Sequence, residues 1–300
     1  MIRMRSSSLV AISVAGVLVA LGSSRVHAQS LPAQGAKQTA REPRTGEDAV
    51  KVLWAVIGDA KPGATVRIAA TYDIVPNWHI YWLNAGESGA PTEIELELPE
   101  GCTVAKRPNG RPKVDFPVPK VFRKSDTTFG YESSVTLSVA VTLPSTIPAG
   151  GFTAKVRSSW LVCKEMCLLG RNESQVDLLK PAAPDSVAAK SLAASLALVP
   201  KPLPADWKVS VTEVSAEAAV LVIEAPAAVA ANAAWTMLPA ETPGIFLESG
   251  YLAEAKGRSL RVPLVLSREI SEGRPLAFTG VVDLGKNAGS FAFSVPVPNP

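Results

Sequence analysis

Cys163 and Cys167, four positions apart in Trp160-Leu161-Val162-Cys163-Lys164-Glu165-Met166-Cys167, are the residues of this chain best suited to chemistry. A close thiol pair can exchange with other disulfides, form a permanent bond or hold a soft metal ion. Spacing constrains the choice. Along a continuous strand, residues four apart are roughly 13 Å apart, whereas a disulfide needs Cα atoms within about 7 Å. The chain must therefore bend after Cys163. The apolar run Trp160 to Val162 brings a strand to its end, and Lys164-Glu165-Met166 is expected to form a helical turn that returns Cys167 toward Cys163. A bond closing so short a loop removes little unfolded-chain entropy, which makes it a weak staple and favours reversible use. Lys164 would stabilise a thiolate and Glu165 would oppose it; we take Cys167 as the attacking sulfur. Two other uses stay open at this point. One is a permanent disulfide in an oxidising compartment, and the other is Cu(I) held by Cys163, Met166 and Cys167. Cys102, at a strand exit in Pro99-Glu100-Gly101-Cys102-Thr103, reads as a small buried apolar side chain with no chemistry.

The first 28 residues read as a secretory leader that would place these thiols outside the reducing cytoplasm. Arg3 and Arg5 supply the charged start, Leu9 to Leu21 the apolar stretch, and Val26-His27-Ala28 the cleavage site, so the mature protein is expected to begin at Gln29 and to be soluble in the periplasm. That apolar stretch falls short of the ~20 residues of a membrane span, and no later segment reaches that length. Beyond the leader only one histidine remains, His79, and there is no nucleophile elbow, so Ser-His-Asp hydrolysis finds no support. With 30 basic against 27 acidic residues, the formal net charge of +3 is too small and too dispersed for a nucleic-acid partner. No cofactor is called for.

The thiols need strands to carry them. Only 6% of residues are aromatic, but 25 prolines and 21 glycines imply many turns, which favours an all-β fold. Residues 29–47 lack apolar periodicity and read as a disordered tether. Strand-like runs then recur at Val50 to Ile57, Ala64 to Ile74, Trp78 to Leu83, Glu93 to Leu98, Ser134 to Leu143 and Phe152 to Val162. In Glu93 to Leu98 and Val135 to Val139 apolar and polar residues alternate, as in a sheet with one buried face. The Pro- and Lys-rich stretch between Lys106 and Phe129 is long for a loop and so a candidate functional one. Asp185 to Leu198 reads as a helix, and with Lys201-Pro202-Leu203-Pro204 it makes a helix and stiff linker over residues 183–204. The Ala-rich run from Ala225 to Ala234 is ambiguous between loop and helical turn. A second strand series, Trp207 to Val214, Ala219 to Ile223, Leu260 to Leu266, Ala277 to Val282 and Ser290 to Val295, makes residues 205–300 a second, smaller β domain.

The runs Trp78-His79-Ile80-Tyr81-Trp82-Leu83-Asn84-Ala85-Gly86-Glu87-Ser88-Gly89-Ala90-Pro91-Thr92, Leu98-Pro99-Glu100-Gly101, Phe129-Gly130-Tyr131-Glu132 and Trp160 to Cys167 resemble the DsbD N-terminal domain family, in particular its ScsB-like branch. The resemblance covers residues 48 to 180. It implies an immunoglobulin-like β-sandwich, residues 48–182, that receives reducing equivalents from a membrane electron donor of DsbD or ScsB type and passes them to periplasmic thioredoxin-fold proteins. Cys163 and Cys167 match the family's redox pair. The resemblance also implies a cap loop over the cysteines, with Phe122 or Phe129 as its lid, and Tyr81 as an aromatic neighbour of the site. His79 is read first as a strand residue paired across the sheet and second as a site neighbour. Two features depart from the pattern: Leu168-Leu169-Gly170 stands where a proline is usual, and no membrane or thioredoxin-like domain is present, so electrons must come from another protein. The C-terminal region resembles the ScsB-like second domain only through Trp235, Phe246 and Gly280.

Overall fold

Alternation of inward and outward side chains organises the long strands of the first sandwich. Along one strand Val66, Ile68, Ala70 and Tyr72 are all buried, and along another Ala154, Val156, Ser158, Trp160 and Val162 are buried while Lys155 and Arg157 face outward. The computed structural model describes residues 42–107, 109–123, 125–147, 152–267, 269–270, 276–285 and 288–299. The leader and residues 29–41 of the expected tether lie outside them.

In chain order the first part comprises α1 (Gly46–Ala49), β1 (Val50–Ile57), β2 (Thr65–Ile74), β3 (His79–Gly86), β4 (Glu93–Glu97), β5 (Thr103–Val104), β6 (Val114–Asp115), β7 (Lys120–Arg123), β8 (Thr127–Glu132), β9 (Ser134–Thr142), β10 (Thr153–Cys163) and β11 (Cys167–Asp177). One antiparallel sheet runs β1-β2-β9-β5, with β6 also on β9; the other runs β11-β10-β3-β8-β7, with β4 also on β10. Their inner faces share one core, in which the Tyr72 ring meets Trp160 edge-on at 6.0 Å. Burying each such aromatic side chain contributes roughly 1.5–3 kcal/mol. The Tyr72 hydroxyl and Ser158 Oγ, 2.6 Å apart, satisfy each other inside that core.

β9 departs from the one-buried-face expectation, because Thr136 and Ser138 are buried along with Val135, Leu137 and Val139. Helix α2 (Val187–Leu196) explains Thr136. Capped by Ser186, it lies on this sheet with Ser195 Oγ accepting the Thr136 N–H at 3.1 Å. Ser138 is enclosed by Arg67 and Asp115, each hydrogen-bonded to its hydroxyl. The segment read as a linker is therefore packed down: Leu198 accepts the Val118 N–H, and Lys201–Pro202 forms β12, a short parallel pair with the last strand of the chain.

The second sandwich continues with β13 (Lys208–Thr212), β14 (Ala218–Glu224), β15 (Ala234–Pro239), β16 (Ile245–Leu247), β17 (Ala253–Lys256), β18 (Ser259–Leu266), β19 (Ala277–Asp283) and β20 (Ser290–Pro296), in sheets β12-β20-β19-β15-β17 and β13-β14-β18-β16. Its core is built on Leu221, Ile223, Trp235, Met237 and Phe278. The Ala-rich stretch before β15 is loop and turn. The fold is thus mostly β, two sandwiches in series. They touch through Leu238 and Val281, which join the first core, and through Asn84, whose Nδ2 donates to the Pro239 and Ala240 carbonyls at 2.9 and 3.2 Å. Arg107 pairs with Glu241 at 2.7 Å and Arg123 with Glu254 at 2.5 Å. No helix among the described residues is long and apolar enough to cross a membrane.

Candidate redox site

β10 ends at Cys163 and β11 begins at Cys167, so the two cysteines face each other as the last rung of an antiparallel hairpin. The expected bend is there, but Lys164-Glu165-Met166 is a hairpin loop and not a helical turn. Cross-strand pairing brings two side chains to one face without any helical return, and within the loop the Lys164 N–H donates to the Met166 carbonyl at 3.1 Å. The Cα atoms are 4.2 Å apart and the sulfurs are bonded. The pair is asymmetric. Cys163 is 4% exposed, whereas Cys167 lies on the open side of the hairpin with Met166 and Leu169, which are 61% and 58% exposed.

Burial of Cys163 comes from β3, its other neighbour. Cys163 is in register with His79, and Tyr81, two residues on, shares that face and packs against Cys163 with Ala85 and half-buried Leu161. Trp82, next to Tyr81, turns into the core on the opposite face. Two glycines permit this packing. A Cβ on Gly130 would sit 2.0 Å from the Ile80 carbonyl oxygen, so β8 approaches β3 as closely as it does only without a side chain there. A Cβ on Gly89 would fall 2.3 Å from the Tyr81 ring, and with φ at +100° this residue lays the loop after β3 directly over the phenol. Thr92 holds the loop there, its hydroxyl and N–H both donating to the Tyr81 carbonyl. Burial, and secondarily the Asp126 carboxylate, push the Tyr81 hydroxyl up from its ordinary pKa.

Of the two phenylalanines expected at the lid, Phe122 lies beside the site and Phe129 does not. Phe122, on edge strand β7, stacks on His79 with ring centroids 4.7 Å apart, and His79 meets Tyr81 edge-on at 5.1 Å. Phe129 is fully buried in the first core against Trp82, because it shares its strand face with the inward-pointing Tyr131. β7 thus lies over His79 and the Gly89 loop over Tyr81, and the second was missed in the sequence, where the Gly86-Glu87-Ser88-Gly89 run was its signal.

Lys164 is held by Glu42 at 2.8 Å, which with the Glu165 carboxylate raises its pKa. Residues 42–47 fall within the stretch read as a tether, yet Glu42 braces the hairpin loop, and Glu47 accepts the Arg171 N–H at 2.8 Å. Gly170, in the Leu168-Leu169-Gly170 run that departs from the resembled pattern, is where α1 crosses: a Cβ there would strike the Trp160 indole at 2.3 Å, and one on Gly46 would strike Gly170 Cα at 2.4 Å. Cys102 is half-buried against the first core beside β5, in the other sheet, and burial raises its thiol pKa. Met166 is at the tip of the loop, while the two cysteine sulfurs of the suggested three-sulfur Cu(I) set are bonded to each other.

Residues 47–179 match the family model described as "Thiol:disulfide interchange protein DsbD, N-terminal". The match takes in β1 through β11, the strands of the first sandwich. The N-terminal periplasmic domain of ScsB from Proteus mirabilis superposes with a TM-score of 0.56 at 18% identity, covering 83% of this chain and 93% of that one, so the likeness of fold extends through the second sandwich. A structure of the Enterococcus faecalis MSCRAMM ACE, described as binding its ligands by the collagen hug model, aligns at a TM-score of only 0.22 and 7% identity over 84% of this chain and 95% of its own. No curated protein matches the chain. The close Cys163–Cys167 pair lies inside the matched residues, and the matching family's description names thiol:disulfide interchange.

Proposed function

We propose that this protein is a periplasmic thiol:disulfide interchange protein that takes reducing equivalents from a membrane donor of DsbD or ScsB type and relays them through Cys163 and Cys167 to periplasmic thioredoxin-fold partners. The observation that carries the reading is the unequal burial of the two sulfurs across one hairpin rung. A donor thiolate attacks the accessible Cys167 sulfur; a new S–S bond forms to Cys167, the Cys163–Cys167 bond breaks, and Cys163 leaves with the electron pair and takes a proton. A second donor thiol then releases Cys167, leaving both cysteines reduced. Delivery reverses these roles, with the Cys167 thiolate attacking the partner's disulfide and Cys163 resolving the mixed disulfide. Tyr81, Phe122 and the Gly89 loop keep the Cys163 side dry between encounters, which slows stray oxidation of the dithiol. The decisive measurement is the reduction potential of the pair, by equilibration with glutathione buffers. A value within reach of exchanging dithiols, above about −300 mV, is expected; one well below it, typical of inert structural disulfides, overturns the reading.

A further inference from the structure

Between the two sandwiches runs a cleft of about 980 Å³, walled by the end of β3, the β15–β16 connection and β16. It starts where the thiol site ends, because Ala85 lines the cleft and also packs with Tyr81 and Cys163. Three observations describe what fits it. Phe246 and Tyr251, 50% and 42% exposed, hold apolar rings to solvent along one wall. The charged side chains of the described lining are both acidic: Glu241, already paired with Arg107, and the exposed Glu248, which has no cation beside it among the described residues. Finally, β16 is the last strand of its sheet. The bonds from Glu248 N–H to Pro263 and from Ser267 N–H to Gly244 flank the Phe246–Val265 pair, so the Phe246 main chain faces β18 and the N–H and C=O of Leu247 face the free edge.

We propose that this cleft is the docking groove for the thiol protein that exchanges with Cys163 and Cys167, and that it receives an extended segment of that protein bearing an apolar side chain and a Lys or Arg. The inference rests on the interchange reading. The segment adds to β16 at Leu247, lays its apolar side chain on Phe246 and Tyr251, and sets its cation against Glu248. His79, opposite Cys163, lies six residues from Ala85, a span of at most ~20 Å, so about six extended residues carry the partner's chain from the thiol pair to the near end of the cleft. The partner's thiolate attacks Cys167 while the tail is held; the Cys163–Cys167 bond breaks, the mixed disulfide forms, and Cys163 takes a proton from water.

The test uses the full oxidised chain and three reductants: glutathione, and two peptides with a single Cys at either end, separated by a six-residue extended spacer from a Leu-Lys pair. Loss of the Cys163–Cys167 bond is followed by alkylation and mass. At least one peptide is expected to react about tenfold or more faster than glutathione, through the raised local concentration of its thiol. That advantage should vanish in Phe246→Ser and in Glu248→Lys, both exposed positions, while the glutathione rate of each variant stays at the wild-type value. A peptide advantage that survives both substitutions overturns the groove, as does the absence of any advantage. A wild-type dimer that Phe246→Ser dissolves would assign the face to a second copy of the chain and also overturn it. If neither glutathione nor the peptides open the disulfide, the interchange reading fails instead.

Discussion

At the scale of single residues, the unequal exposure of Cys163 and Cys167 has a kinetic signature. Cys163→Ser leaves the open-side thiol, and Cys167→Ser leaves one packed under Tyr81 and Ala85. We expect the first variant to react with a small disulfide reagent at least about tenfold faster than the second at neutral pH, since access and thiolate character set such rates. Equal rates in a stopped-flow measurement would remove the asymmetry from the mechanism. The pair itself was legible in the sequence, because four-residue spacing after an apolar strand leaves few geometries. The surroundings were less so. Nothing in the residue types separates Phe122 from Phe129; what separates them is the parity of β8, where Phe129 and Tyr131 share the inward face. Gly89 belongs to the family-like run Trp78 to Thr92, but its closeness to Tyr81 depends on the path of a loop.

At the scale of elements, the hairpin stands on β11, and β11 stands on α1. Gly170→Ala would drive a methyl into the 2%-exposed Trp160 indole on one side of a strand whose backbone already touches Gly46 on the other. A loss of roughly 1–3 kcal/mol is expected from overpacking, read as a lower midpoint in urea; an unchanged midpoint would mean that the indole has room to move. The Glu47 carboxylate is held below its ordinary pKa, chiefly by the Arg171 N–H. A depressed carboxylate pKa contributes stability above the unfolded-state value, lost as pH falls through the folded one. Exchange protection of the Arg171 amide should therefore persist at neutral pH and drop in the acid range below the usual carboxylate pKa; protection that holds there would detach Glu47 from this strand. β11 escaped sequence reading because Cys167-Leu168-Leu169-Gly170-Arg171-Asn172-Glu173 is an edge strand with one side open to water, which dilutes the alternation. β5, β6 and β7 escaped for a different reason, being two to four residues long within a Pro-rich run.

At the scale of the whole molecule, the two sandwiches were legible as two strand series, but the way they meet was not. The contacts come from residues hundreds of ångströms of unfolded chain apart by no local pattern: Asn84 on a β3 bulge, Arg107 in a loop, Glu254 on β17. Exposed pairs such as Arg123–Glu254 are worth at most about 1 kcal/mol. The Asn84 amide differs, because it serves two carbonyls at a part-buried junction. Asn84→Ala is expected to lower stability by about 1–3 kcal/mol through those unpaired acceptors. In a calorimetric scan this should appear as an earlier or split transition, and a superimposable scan would show that the sandwiches hold together without it.

The hairpin rung also sets how far the redox state and the folded state influence each other. Opening the Cys163–Cys167 bond frees a loop of three intervening residues, while the pairing of β10 with β11 from Thr153–Asp177 to Val162–Leu168 does not depend on it. Chain entropy for so short a loop amounts to about 2 kcal/mol. In a closed thermodynamic cycle, that same quantity separates the potential of the pair in the fold from its potential in the unfolded chain, roughly 40 mV. Oxidised and reduced protein should thus melt within several degrees of each other. A disulfide placed this way can be opened and closed many times over on a scaffold that hardly registers the change.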